Sequence, residues 1–281
     1  MRTLTQPGPI ANPRIVSIAG DAASLLYRLE PDQTLLSAIT APLVEAGLQG
    51  AAIEITGGTF SRLAYVIPAV PDDDTHVAYF SGTHRAIGVT RLDFATATFG
   101  WRDGAPTLHC HGTWTDAEGV LRGGHILAED TFLSAPAEAR AFAMAEVRIE
   151  VRPDPETNFP LLTPITEGPG RGRMIAARIR PNVDLCLALE EICRRHGLQE
   201  VILRGSLGSL VGAHFEDGTV IKDDATEILI RTGHVAMHGG ELRAELDISS
   251  IDMNGAVYHG RIIRGENAVC ITFEAMLEKL R

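Results

Sequence analysis

The chain of 281 residues is poor in aromatics, cysteines, basic runs and long apolar runs, and each shortage closes off a class of function. Aromatics make up 5% of the sequence, too few for the stacking platforms that hold single-stranded bases. Against 36 Asp and Glu stand 25 Lys and Arg, a formal net charge of -11. Such a surface repels phosphate backbones, so direct nucleic-acid binding is disfavoured. The nearest approach to a basic cluster is Arg171-Gly172-Arg173. The four cysteines, Cys110, Cys186, Cys193 and Cys270, form no C-x-x-C and no disulfide framework. Cys186 and Cys193 are seven apart and read as small core residues of a helix. No apolar stretch reaches the roughly 18 residues of a membrane span, and the N-terminus lacks a charged start followed by an apolar block. A cytoplasmic, soluble protein without membrane contact is expected.

What the sequence does contain is a repeat. "YRLEPDQTLLSAITAPLVEAGLQGAAIEITGGTF", from Tyr27, matches "ARIRPNVDLCLALEEICRRHGLQEVILRGSLGSL", from Ala177, at a constant offset of 150. Arg28 meets Arg178, Pro31 meets Pro181, Gly47 meets Gly197 and Gly58 meets Gly208. Each copy reads as strand, Pro-led helix, Gly stop and strand. Leu35, Leu36, Ile39 and Leu43 form one apolar face, as do Leu185, Leu189 and Ile192. Pro42 is expected to kink or shorten the first helix. Farther on the offset becomes 136, so the first copy holds about fourteen extra residues, placed in the Pro68–Ile87 region. Short alternating runs such as "EILIRTGHVAMHG" fill the rest. The expected class is α+β: two tandem copies of a mostly antiparallel sheet domain with one main helix each. The domains are placed at 1–152 and 173–281, joined by a linker over 153–172 rich in proline.

The chemistry concentrates in "TLHCHGTWTDAEGVLRGGH", Thr107–His125, which holds three of the ten histidines. Residues alternate faces along a strand, so His109 and His111 share one. A three-residue loop, Ala117-Glu118-Gly119, with a left-handed glycine pairs Asp116 with Val120. Counting back, His111 lies opposite His125, and all three imidazoles converge. Three neutral imidazoles are the ligand set of an open zinc site. A loop one residue longer or shorter sends His125 to the other face. The competing reading is three histidines packed for structure alone. In the second copy the same positions are Glu245, Asp247 and Arg261, with Asp247 opposite Arg261. That substitution reads as an ion pair in a vacated site, with His259 two places away.

These features resemble the PPC domain (plant and prokaryote conserved domain, DUF296), through the "YRLEP…LL" start, the Gly-rich turn and, most specifically, the "H-x-H…D-x-x-G…GGH" block. The resemblance spans nearly the whole chain as two tandem copies. It implies an α+β fold, assembly as a trimer, and a metal held at His109, His111 and His125. It also implies a likeness to the acetolactate decarboxylase fold. Plant members join this domain to AT-hooks that bind the DNA minor groove. Here Arg171-Gly172-Arg173 is followed by Met174, so the Arg-Gly-Arg-Pro core of an AT-hook is absent.

Three functions follow. The first is a metal-dependent enzyme, zinc being the first expectation and iron, copper or nickel also suiting imidazole. It would act on a small polar or oxo-acid substrate by lyase, hydrolase or isomerase chemistry. Helpers would be Glu54 as acid or base, Arg85 as anion clamp with His84 beside it, and Glu129, four after His125, as a partner orienting a ligand ring. Each of these also reads as an ordinary surface or strand residue, and Trp114 reads as hairpin packing. The second function is a DNA-associated regulatory protein of the PPC type, and the third a non-catalytic small-molecule-binding scaffold.

Overall fold

The computed structural model describes residues 1–144, 146–165 and 172–280. Two large sheets, almost wholly antiparallel, carry one 11-residue helix each, α1 (Leu35–Glu45) and α2 (Leu185–Arg195). In the first sheet the strand order runs Ala22–Leu29, Ala137–Met144, Ala51–Thr56, Thr90–Arg102, Ala105–Thr115, Leu121–Ile126, Ala64–Val66 and His84–Arg85. In the second it runs Ile15–Gly20, Met174–Ile179, Val269–Lys279, Glu200–Leu203, Thr226–His238, Glu241–Ile251 and Val257–Arg261. Leu35, Ala38, Ile39 and Leu43 of α1 are buried in the first core, with Ile53, Phe60 and Phe99. Leu185, Leu189 and Ile192 of α2 are buried in the second, with Ile228, Val235 and Phe273. All four cysteines are free and buried, and Cys186 and Cys193 belong to the second core.

Both helices begin later than the prolines suggest. Asp32 and Asn182, directly after Pro31 and Pro181, have φ of 65° and 62°, left-handed values that a helix cannot pass through. The starts are set instead by Thr34, whose hydroxyl accepts from Ser37 N at 3.1 Å, and by Asp184, whose carboxylate accepts from Leu187 N at 3.0 Å. Gly47 and Gly197 do take left-handed φ just past the helix ends. Pro42 does not shorten α1, which matches α2 in length.

The copies are interleaved. Ile15–Gly20 crosses over to pair with Met174–Ile179 and so forms an edge of the second sheet. The stretch expected as a plain linker holds the strand Pro160–Ile165, paired with Arg148–Pro153 on the first sheet, and positions 166–171 lie outside the described residues. A buried ionic knot fixes this seam. Asp154 accepts from Arg178 and Arg180 through Oδ2, and from the Glu156 and Thr157 amides through Oδ1 at 3.0 and 3.1 Å. Arg178 is 2% exposed, a burial an arginine reaches only when paired. Gly123 packs against Ile251, and Arg231 Nη1 meets Asp93 Oδ2 at 3.2 Å, so the hairpin face of the first copy lies against the second copy. No helix among the described residues is long and apolar enough to cross a membrane.

Candidate metal centre

The hairpin forms with the expected register. Asp116 N donates to Val120 O at 2.9 Å, Gly119 has φ of 81°, and His111 pairs directly with His125. Asp116 also fastens the loop, its Oδ1 accepting from the amides of Glu118 and Val120 at 3.0 and 2.8 Å. One ligand atom from each of His109, His111 and His125 lies within 4.8 Å of the others. Trp114, on the opposite face, is fully buried with its ring edge-on to Tyr65 at 4.7 Å, which is hairpin packing.

The hydrogen bonds fix which nitrogens face inward. His111 Nδ1 lies 2.9 Å from the carbonyl oxygen of Ile228, which only accepts, so Nδ1 carries the proton. His109 Nδ1 donates likewise to Glu274 Oε1 at 3.0 Å. In the neutral rings both Nε2 atoms therefore present lone pairs, and they face each other at 3.0 Å. Two lone pairs so placed repel unless a cation lies between them. Glu227 adds to the demand: its Oε2, 3.0 Å from His111 Nε2, is buried and meets no donor, and Oε1 lies 4.0 Å from His125 Nδ1. His125 Nδ1 is itself buried without a partner. Inward lone pairs, an unpartnered third imidazole and an unpartnered carboxylate fit a divalent transition-metal ion.

The electrostatics agree. Burial, then the neighbouring charges of His109 and His125, holds His111 well below the ordinary histidine value. Burial, then His109, brings His125 down to about 3. Both rings are thus neutral at physiological pH, as ligation requires. Burial alone pushes the Glu227 carboxyl well above its usual range.

The acids that stand against the imidazoles come from the second copy, and sequence reasoning missed both. Glu227 stands in Thr226–His238 and Glu274 in Val269–Lys279, 5% and 6% exposed. A signal existed. Each is a lone acid inside an apolar strand run, "TEILI" and "VCITFEAML", where a carboxylate is costly unless it has work to do. The expected helpers stand elsewhere. Glu54 is on the same sheet face but two strands from His111, through Thr96, and its Oε1 accepts from Gly205 N at 3.1 Å. Burial raises its carboxyl against the pull of the Gly205 amide, Arg204 and Arg140. Arg85 is exposed on a two-residue strand, and His84 beside it stacks on Tyr65. Glu129 is exposed because its strand ends at Ile126 and the chain turns, Asp130 N donating to Leu127 O. None of these lines the cavity at the histidines.

That cavity, of about 310 Å³, opens from the imidazoles along the seam between the copies. Tyr79 and Phe80, from the extra segment of the first copy, wall it with Phe159. The Phe80 ring stands edge-on to His125 at 5.1 Å, and Tyr79 stacks on Phe159 at 5.6 Å. In the second copy Asp247 does oppose Arg261, yet Arg261 Nη1 pairs with Glu245 Oε2 at 3.2 Å, the diagonal neighbour that its length reaches. His259 accepts or donates to Ser249 Oγ at 2.9 Å.

The chain belongs to the Plants and Prokaryotes Conserved (PCC) domain family, whose model matches residues 17–142 and 166–281. It thus carries two tandem PCC domains. Among solved structures it is similar to the metal-containing protein AF0104 of Archaeoglobus fulgidus, at 16% identity, covering 52% of this chain and 96% of that one with a TM-score of 0.44. It is also similar to a plant- and prokaryote-conserved protein of Pyrococcus horikoshii, at 20% identity over 50% and 92% of the chains, TM-score 0.40. A third is a Bacteroides thetaiotaomicron protein described as a "putative dna binding protein", 15% identical over 50% and 90%, TM-score 0.40. No curated protein matches the chain in sequence.

Proposed function

We propose that the chain is a metal-dependent enzyme acting on a small carbonyl-bearing substrate, with zinc the first expectation for the metal. The observation that carries the reading is the pair of inward Nε2 lone pairs of His109 and His111, 3.0 Å apart at the end of a cavity of about 310 Å³. A site built for structure alone needs no cavity at its open side. His109, His111 and His125 would hold the ion, and Glu274 and the Ile228 carbonyl orient the first two rings. A divalent ion there supplies Lewis acidity toward a substrate oxygen. Glu227, its carboxyl pushed up by burial and lying beside the imidazoles, would hold or move a proton in decarboxylation, isomerisation or hydrolysis. Phe80 and Tyr79 narrow the access of water.

Elemental analysis of the purified protein should give about one divalent ion per chain, absent from His111→Ala. Metal-dependent turnover of a panel of oxo-acids and esters should vanish in the same variant. A protein that keeps no metal after aerobic purification and zinc dialysis would sink the reading. The DNA-associated alternative, which the Bacteroides relative's description raises, runs against the net charge of -11.

A further inference from the structure

Arg102 has no role in the chemistry above, yet it lines the same cavity. It pairs with Ala105, and Ala105, Thr107, His109 and His111 alternate onto one face, so Arg102 and the imidazoles share a wall. Four residues separate Ala105 from His109, about 13 Å at roughly 3.3 Å per residue. Among the described residues Arg102 makes no ion pair, although the chain has an excess of acids. The acids in the cavity, Glu227 and Glu274, stand at the opposite end against the histidines. Between the two ends Phe80, Phe159, Leu161, Leu162 and Ile271 make the walls mostly apolar, with the threonines Thr107 and Thr272 among them.

From this arrangement we infer the substrate class, an inference that rests on the metal-enzyme reading. The ligand is an elongated, largely apolar molecule with an oxygen donor at one end and a carboxylate at the other. The donor end meets the histidine centre, the apolar middle lies along Phe80, Phe159 and Leu161, and the distal carboxylate meets the guanidinium of Arg102. An arginine offers a planar fork that matches a carboxylate. Short polar oxo-acids leave both the apolar wall and Arg102 unused, so they are poor ligands. The same guanidinium excludes amine-ended homologues by like charge.

The test is calorimetric binding to the zinc-loaded protein, with no turnover needed. Hydroxamates chelate divalent ions, so three probes isolate the parts: acetohydroxamate, octanohydroxamate and suberic acid monohydroxamate. Octanohydroxamate should bind more tightly than acetohydroxamate by up to roughly fourfold per buried methylene. Suberic acid monohydroxamate should gain about a further tenfold, and Arg102→Gln should erase only that last gain. Arg102 is exposed, so the variant is expected to fold, with zinc content as its control. Equal affinity for the two long probes, or a carboxylate preference that survives Arg102→Gln, overturns the inference. So does equal affinity for acetohydroxamate and octanohydroxamate. Hydroxamate binding that is unchanged by His111→Ala is a different failure: it rejects the metal centre, and the inference falls with it.

Discussion

Exchanging Glu227 for glutamine should stabilise the metal-free protein and shrink the further stabilisation that metal gives. Without metal, burial pushes the Glu227 carboxyl well above its usual range, so folding at neutral pH favours a proton there that the unfolded carboxylate lacks, at a cost in stability. In Glu227→Gln a neutral amide N–H stands in the same place, 3.0 Å from the His111 Nε2 lone pair, and needs no proton taken up. Sparing that cost of a buried ionisable group is worth about 1–3 kcal/mol, which for a chain of this size raises Tm by roughly 2–10 °C. With metal much of that advantage is lost. A site filled at about a thousand times its Kd stabilises by roughly 4 kcal/mol. Losing a carboxylate beside the ligands weakens affinity about 10–100-fold, which removes roughly 1.4–2.7 kcal/mol of that gain. Scanning calorimetry of both proteins, once in chelator and once in excess zinc, reads all four values. The reasoning fails if the variant is less stable than the parent in chelator, or if zinc raises both proteins equally.

Asp154→Asn should cost about 3–5 kcal/mol in guanidinium unfolding, since it strips the counter-ion from buried Arg178. Burial pushes the Asp154 carboxyl up, but Arg178 and Arg180 outweigh it and leave it below the usual range. Its contribution is therefore complete above the unfolded value near about 3.9 and fades as pH falls through the lower folded value, so parent and variant should converge in acid. Gly123→Ala should cost about 1–3 kcal/mol, because a Cβ there comes within 2.6 Å of Ile251 Cγ1 across the seam; Ile251→Ala should then cost less in the Gly123→Ala chain than in the parent, the coupling a double-mutant cycle reads. In gel-shift titrations with duplex DNA at neutral pH no salt-dependent complex should form, and one that weakens steeply between low and moderate salt would contradict the charge argument.

The parts legible in the sequence were those decided by neighbours in the chain. The loop Ala117-Glu118-Gly119 admits one register, because Gly119 takes the left-handed residue of a three-residue turn, and from that alone His125 falls opposite His111. The duplication was legible for the same reason, each copy repeating its own helix stop at Gly47 and Gly197. What was not legible depends on how the copies dock. Glu227 lies more than a hundred residues from His111, and only the seam brings them to 3.0 Å. Glu129, expected four after His125 as a partner for its ring, lies beyond the strand, which ends at Ile126. The crossing of Ile15–Gly20 to the second sheet left no pattern either, since a strand's edge partner is set by tertiary packing.

Docking also changes what the second copy is for. Judged by the histidine positions it is a vacated site, with Glu245, Asp247 and Arg261 in their place. Judged by the opposite comparison it is the first copy that has lost something. The long strands Thr90–Arg102 and Thr226–His238 correspond at the offset of 136, which sets Arg91 against Glu227. The same offset sets Glu138 against Glu274. Arg91 and Glu138 are exposed, whereas Glu227 and Glu274 are buried against imidazoles. The first copy keeps the histidines and the second keeps the acids in a place where they matter. Neither half alone then brings acids and imidazoles together, and docking buries Glu227 at a cost that its place beside the imidazoles must offset. This couples the site to the interleaved fold: the crossing strand Ile15–Gly20 and the Asp154–Arg178 knot, both distant from the histidines, hold the two halves in register. Loosening either should therefore lower zinc affinity before it unfolds either sheet.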